Sequence, residues 1–211
     1  MRAAITVFGS SVSPLFDAAR KLLVADVDAR RPPRRELREI GDLDLPQRLA
    51  LLSTLEVQLV VCGGISAFLE RSLVDRGIAV CPWVAAEIDE VLELLAVRGA
   101  LDPRRVVVSS ANGAGAQVDP CWWSCPHLLV FECGEGGARL AADRTPSADA
   151  GPPELAAVRT IVAARAGLLL TGRCGPNGRG LLQLAGVDVV LGVEGAVQEA
   201  VERHGCAEER T

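Results

Sequence analysis

The chain has 211 residues, 49 % hydrophobic and 23 % charged, which excludes wholesale disorder and fits one large or two small domains. Its 22 basic and 27 acidic side chains give a net charge of -5, which leaves no broad basic face for nucleic acid. The apolar run after Met1 stops at Gly9, far short of the ~20 residues of a membrane span, and the seven cysteines read as reduced thiols in a cytoplasm, with no membrane contact.

The chain begins with an apolar strand over 3–8 and a Gly/Ser/Pro loop, followed by a strand over 22–27, a turn at Pro32-Pro33 and a more polar strand over 36–40. A helix is expected over 46–55, then a buried strand over 57–61, the glycines of CGGIS, a helix over 68–74 and a strand over 78–81. Ile88, Val91, Leu92 and Leu95 recur at helical spacing between acidic residues, a pattern that ends at Gly99. Residues 101–105 then read as a linker. Beyond it, strands are expected over 106–110, 128–132 and 138–142, a helix over 153–166, a strand over 168–171, a helix after Pro176, a strand over 187–191 and a helix over 195–204. Pro153 and Pro176 suit a first helical turn, where the missing N–H costs nothing.

The two halves repeat one unit. VSPLFDAARKLLVAD from Val12 aligns without a gap on VDPCWWSCPHLLVFE from Val118, Pro14 falling on Pro120. Farther on, LVVCGGISAFLERSLVDRGIAV from Leu59 aligns on LLLTGRCGPNGRGLLQLAGVDVV from Leu168, Gly77 falling on Gly186. Two blocks in the same order predict a tandem α/β chain, with domains at 1–100 and 105–211.

These residues resemble the dinitrogenase iron-molybdenum cofactor biosynthesis family, the NifX and NifB C-terminal group. The likeness rests on VSPLF at Val12 to Phe16, CGGIS at Cys62 to Ser66 with RGI at Arg76 to Ile78, VDPCW at Val118 to Trp122, and TGRCGPNG at Thr171 to Gly178 with AGV at Ala185 to Val187. The resemblance implies two RNase H-like domains, each a mixed five-stranded sheet with packed helices. It implies non-catalytic binding or carriage of an iron-sulfur or iron-molybdenum cluster, with cluster-assembly or acceptor proteins as partners. Family members carry His or Arg before the loop aromatic; here Leu15 and Cys121 stand there.

Thiolate and imidazole are the side chains that hold such clusters. Cys121, Cys125 and His127 lie within seven residues, and Cys174 sits in the later glycine loop, so these four are the candidate metal ligands. Cys62, Gly63 and Gly64 in the first half and Gly172, Cys174, Gly175 and Asn177 in the second are the candidate cofactor-contacting residues, each set opening a helix. Free cysteines are also often small buried hydrophobes, and the spacing matches no standard zinc pattern. Cys81, Cys133 and Cys206 read as structural. The glycine loops lack a P-loop lysine, yet leave open an alternative, a small-anion or nucleotide-binding thiol enzyme using Cys62 or Cys174. A third reading is an interaction module that binds nothing small. Neither first strand carries a carboxylate, which disfavours a two-metal nuclease.

Overall fold

The computed structural model describes residues 1–28, 31–113, 117–147 and 151–205. The chain divides into two compact units, Met1–Ala96 and Val97–Thr211. In the first unit, β1 (Arg2–Phe8), β3 (Lys21–Asp28) and β4 (Arg31–Glu39) form an antiparallel meander. On the other side of β1, β5 (Leu59–Val61) and β6 (Ala79–Cys81) add in parallel, so the sheet order is β4-β3-β1-β5-β6. A two-residue strand, β2 (Ser11–Val12), turns back onto the end of β1 inside the loop that follows it, and brings this sheet to six strands rather than the expected five.

Helix α1 (Leu45–Thr54) starts where Asp44 accepts from the Gln47 N–H while the Gln47 side chain returns to the Asp44 N–H, a reciprocal cap. Helix α2 (Ala67–Val74) carries α1's neighbour face: Leu69 and Leu73 join Leu49, Leu52, Phe16, Val24 and Val60 in one core. Each such leucine contributes about 1.5–3 kcal/mol by leaving water. Helix α3 (Ile88–Val97) buries Val91, Leu92 and Leu95 of the stripe its spacing predicts, and Leu94 besides, while Ile88 is half-buried.

The second unit repeats this plan. β7 (Asp102–Ser110), β8 (His127–Gly134) and β9 (Gly137–Arg144) form the meander, and β10 (Ala166–Leu170) and β11 (Asp188–Val190) extend it in parallel, giving β11-β10-β7-β8-β9. Helix α4 (Pro153–Ala163) begins on its proline as expected, and α5 (Pro176–Ala185) ends at Gly186, whose φ of 80° closes the last turn. The last helix is shorter than expected: α6 (Val197–Ala200) passes into a π-helical turn, Val201–Gly205. Both halves thus have the mixed α/β architecture that the sequence predicts. Among the described residues no helix is long and apolar enough to cross a membrane.

Two expectations are corrected. Pro32 and Pro33 do not form a turn but lie within β4, which tolerates them because it is the edge strand and its N–H groups need no partner on the open side. The stretch read as a linker is largely strand: β7 starts at Asp102, with Asp102 paired to Ala166 of β10.

The aligned blocks make the same hydrogen bonds. Gly64 N donates to Pro14 O at 2.6 Å, and Arg173 N to Pro120 O at 2.8 Å. Cys62 N donates to Cys81 O as Thr171 N does to Val190 O, and Val84 N to Cys62 O as Val193 N does to Thr171 O. Even the left-handed residue after the helix recurs, as Glu56 (φ 52°) and Arg165 (φ 55°).

Candidate functional site

In each unit the loop after the first long strand meets the glycine loop after the fourth, beside a helix N-terminus. Single-residue parallel bridges mark the meeting, Leu15 with Gly64 and Cys121 with Arg173. Glycine is required at the crossing: a Cβ at Gly63 would lie 2.5 Å from Pro14 O, and one at Gly172 would lie 2.8 Å from Pro120 Cα. The loops are alike in backbone and opposite in chemistry.

In the first unit the loops are satisfied from within. Gly63 N donates to Ser13 O, Phe16 N to Gly64 O, and Trp83 N to Gly63 O. The N-terminus of α2 is met by the chain's own carboxylate, since Ser66 N donates to Asp17 Oδ2 at 3.1 Å. The same loops line an open cavity of about 700 Å³, with Leu15, Ile65, Trp83 and Val84 as its apolar walls and Asp17 and Ser66 also lining it. Trp83 holds φ at 66° where its counterpart is Gly192 at 73°, a conformation that costs an L-residue about 1–2 kcal/mol. Cys62 is fully buried, and burial pushes its thiol up to about 12. Arg48 was not foreseen as a loop residue. It is 6 % exposed and donates to the carbonyls of Leu43, Phe16 and Asp17, which ties α1 to the loop. Its only sequence signal was an arginine on the apolar side of a helix.

In the second unit the strand ends carry buried hydroxyls. Ser109 Oγ donates to Asp119 O at 2.6 Å, and Thr171 Oγ1 donates to Pro120 O at 3.4 Å. Asp119 Oδ1 also receives the Cys121 N–H at 2.7 Å. These bonds present Cys121 beside Arg173, whose Nη2 lies 3.9 Å from its sulfur, with Cys174 next along the chain. Cys174 is half-buried; burial raises its thiol, while the Trp122 indole and Arg179 favour the thiolate and Glu154 opposes it. Helix α5 opens here at Gly175, with no side-chain cap, and the position of Asp17 is held by Trp123. Asn177 Nδ2 donates to Glu154 Oε2 at 2.5 Å.

The other two candidate ligands are engaged elsewhere. Cys125 is 4 % exposed and donates its S–H to Trp122 O and His127 O, and burial lifts its thiol to about 11. His127 Nδ1 lies 2.9 Å from Asp143 of β9. His127 starts β8 and Cys174 follows β10, with β7 between them, a separation of two strand spacings or ~10 Å. The structure therefore joins Cys121 to the Cys174 loop and sets Cys125 and His127 apart from it. Among the described residues no three His, Cys, Asp or Glu side chains are grouped to hold a metal ion. Cys206 lies outside the described residues.

The family model for dinitrogenase iron-molybdenum cofactor matches residues 104–205. No curated protein matches the chain. Several solved structures are similar to part of the chain, three of them as follows. The apo orange protein of Desulfovibrio gigas is 27 % identical, with a TM-score of 0.43 over 49 % of this chain and 88 % of that one. A provisionally named dinitrogenase of Methanocaldococcus jannaschii is 16 % identical, with a TM-score of 0.39 over 46 % and 88 %. A provisionally named NifB protein of Thermotoga is 22 % identical, with a TM-score of 0.37 over 46 % and 84 %. The match runs from β7 to the final π-helical turn, so it is the second unit of this chain that is similar to the dinitrogenase iron-molybdenum cofactor family.

Proposed function

We propose that the second unit is a non-catalytic carrier of a metal-sulfur cluster of the iron-sulfur or iron-molybdenum type, held where Cys121, Arg173 and Cys174 meet at the N-terminus of α5. The observation that carries this reading is the crossing of the Cys121 loop with the Arg173–Cys174 loop, where the Arg173 guanidinium lies 3.9 Å from the Cys121 sulfur, within the stretch that matches the family. Soft thiolates suit the metals, and the cation and the uncapped helix end offset negative charge on the cluster. Gly172 and Gly175 let the backbone approach closely, and Asn177 braces the helix start through Glu154. Cys125 and His127 support the loop from behind, through the bonds to Trp122 and Asp143.

The first unit, on this reading, is a diverged copy whose equivalent loops are self-capped by Asp17 and hold no cluster, so that Cys62, Gly63 and Gly64 serve packing. The protein works in a reducing cytoplasm with assembly or acceptor proteins as partners. The thiol-enzyme alternative is not favoured at Cys62, because a nucleophilic cysteine needs a lowered pKa and burial pushes this thiol up to about 12.

Anaerobic reconstitution with iron, sulfide and molybdate tests the reading by elemental analysis and visible absorption of the desalted protein. Stoichiometric metal with a sulfur-to-metal charge-transfer band is expected, lost in Cys121→Ser and Cys174→Ser and kept in Cys133→Ser. A colourless, metal-free protein, or equal loss in all three variants, overturns it.

A further inference from the structure

The loop crossing of the first unit keeps the backbone of its counterpart and exchanges thiol and polar chemistry for apolar. Leu15 stands at the place of Cys121, Ile65 at that of Cys174, Phe68 at that of Asn177 and Trp83 at that of Gly192. The exposed aromatic side chains among the described residues are Phe8, Phe68 and Trp83: Phe8 ends β1, Phe68 lies in the first turn of α2 after β5, and Trp83 follows β6. These three strands run parallel, so all three rings stand at one end of the sheet, the end where open α/β sheets take ligands. Packing does not account for the indole, since Trp83 is 59 % exposed, and its φ of 66° suits the glycine found at the counterpart position. Strained residues of this kind cluster at ligand clamps. The cavity they line, about 700 Å³ with aliphatic and aromatic walls, has the size and character of a small-molecule site. Charge narrows the ligand further. No basic side chain lines this cavity among the described residues, whereas the half-buried Asp17 brings a carboxylate, which has room for several donors and gives Oδ2 to the Ser66 N–H.

We propose that the first unit binds a small organic cation in this cavity: a flat apolar body lies against Trp83, Leu15 and Ile65, and an ammonium group meets the Asp17 carboxylate. The electron-rich face of the indole favours positive charge as well. Binding makes and breaks no covalent bond. The inference is independent of the reading of Cys121 and Cys174 as cluster ligands.

Probes that share one naphthalene body separate shape from charge: 1-naphthylmethylammonium, the neutral 1-naphthylmethanol and the anionic 1-naphthylacetate. Their binding to the full chain is measured by titration calorimetry at neutral pH without added metal, and the mass of the chain in solution by sedimentation velocity. The ammonium is expected to bind about 10-fold more tightly than the alcohol, and the acetate more weakly than either. Trp83→Gly, which suits the local backbone and so preserves the fold, is expected to weaken the ammonium by about 10-fold or more. Asp17→Asn, which keeps an acceptor for the Ser66 N–H, is expected to bring the ammonium and the alcohol to equal affinity. The comparison of probes on the unaltered chain decides the charge argument even if a variant folds poorly. No binding of any probe, acetate bound as tightly as ammonium, or ammonium binding unchanged in Trp83→Gly overturns the inference. A dimer that Trp83→Gly turns into a monomer also overturns it and gives this face to a second copy of the chain.

Discussion

Gly172 is where the two loops of the second unit press together, and replacing it with alanine tests whether that contact holds the site. The added Cβ would lie 2.8 Å from Pro120 Cα and 3.0 Å from Pro120 Cβ, where ordinary contacts begin near 3.4 Å. Both neighbours belong to a proline and have no rotamer to swing, so the Pro120–Cys121 segment must move away from Arg173 and Cys174. One excess methyl group in a packed place costs about 1–3 kcal/mol, and alanine recovers about 0.4–1 kcal/mol by restricting the unfolded chain. A net loss of about 1.5 kcal/mol, at about 2–4 °C per kcal/mol for a chain of this size, lowers Tm by roughly 3–6 °C. Gly134→Ala is the control, since nothing lies within 4 Å of its Cβ, and it should shift Tm by no more than about 1–2 °C. Thermal melts of the full chain by circular dichroism, with metal content after reconstitution measured on the same samples, give both readouts. Equal Tm for the two variants would refute the contact argument, and a lowered Tm with full metal uptake would refute its link to the site.

Arg48→Ala should cost about 2–4 kcal/mol in urea unfolding, because three carbonyls lose their donor, and Arg48→Lys should recover part of it. The buried Cys62 thiol, pushed up to about 12, stays protonated in the fold while the unfolded thiol ionises from about pH 8.5. Its contribution to stability is therefore complete below about pH 8.5 and lost as pH rises toward 12; Tm plotted against pH should fall less steeply on the alkaline side in Cys62→Ala. In alkylation at pH 8 followed by peptide mass spectrometry, Cys121 should label well before Cys62 and Cys125, and the three should converge in denaturant. Glu132, held below the usual carboxylate range by Arg105 and Arg139, favours the fold above its unfolded pKa of about 4.3 and ceases to as pH falls. Glu132→Gln should thus flatten the acid limb of a stability profile.

The strands that were clearest in the sequence are those buried on both faces. Residues 3–5, 59–61 and 106–108 are continuous apolar runs because the parallel centre of each sheet is covered above and below. The repeated blocks were legible for a different reason. They hold the loop crossing, where Pro14 and Pro120 abut Gly63 and Gly172, and a crossing that tight admits few residues. What the sequence hid is direction. Cys121, Cys125 and His127 are neighbours along the chain, but the short turn between Cys121 and Cys125 points one sulfur toward Arg173 and the other toward backbone carbonyls, and the strand pairing sends His127 to Asp143. Proximity in sequence carries no information on which way a side chain leaves a turn.

The edge strands bear on how the protein behaves in a crowded solution. The first sheet ends at β4, where Pro33 supplies no N–H and Arg34, Arg35 and Arg38 stand exposed, and at the three-residue β6. The second ends at β9, with Arg139, Asp143 and Arg144 exposed and a register shift in its pairing, and at the equally short β11. Such edges are poor templates for another strand. While the chain stays folded, edges of this kind work against growth by strand addition, and that protection ends once opening frees the apolar inner strands.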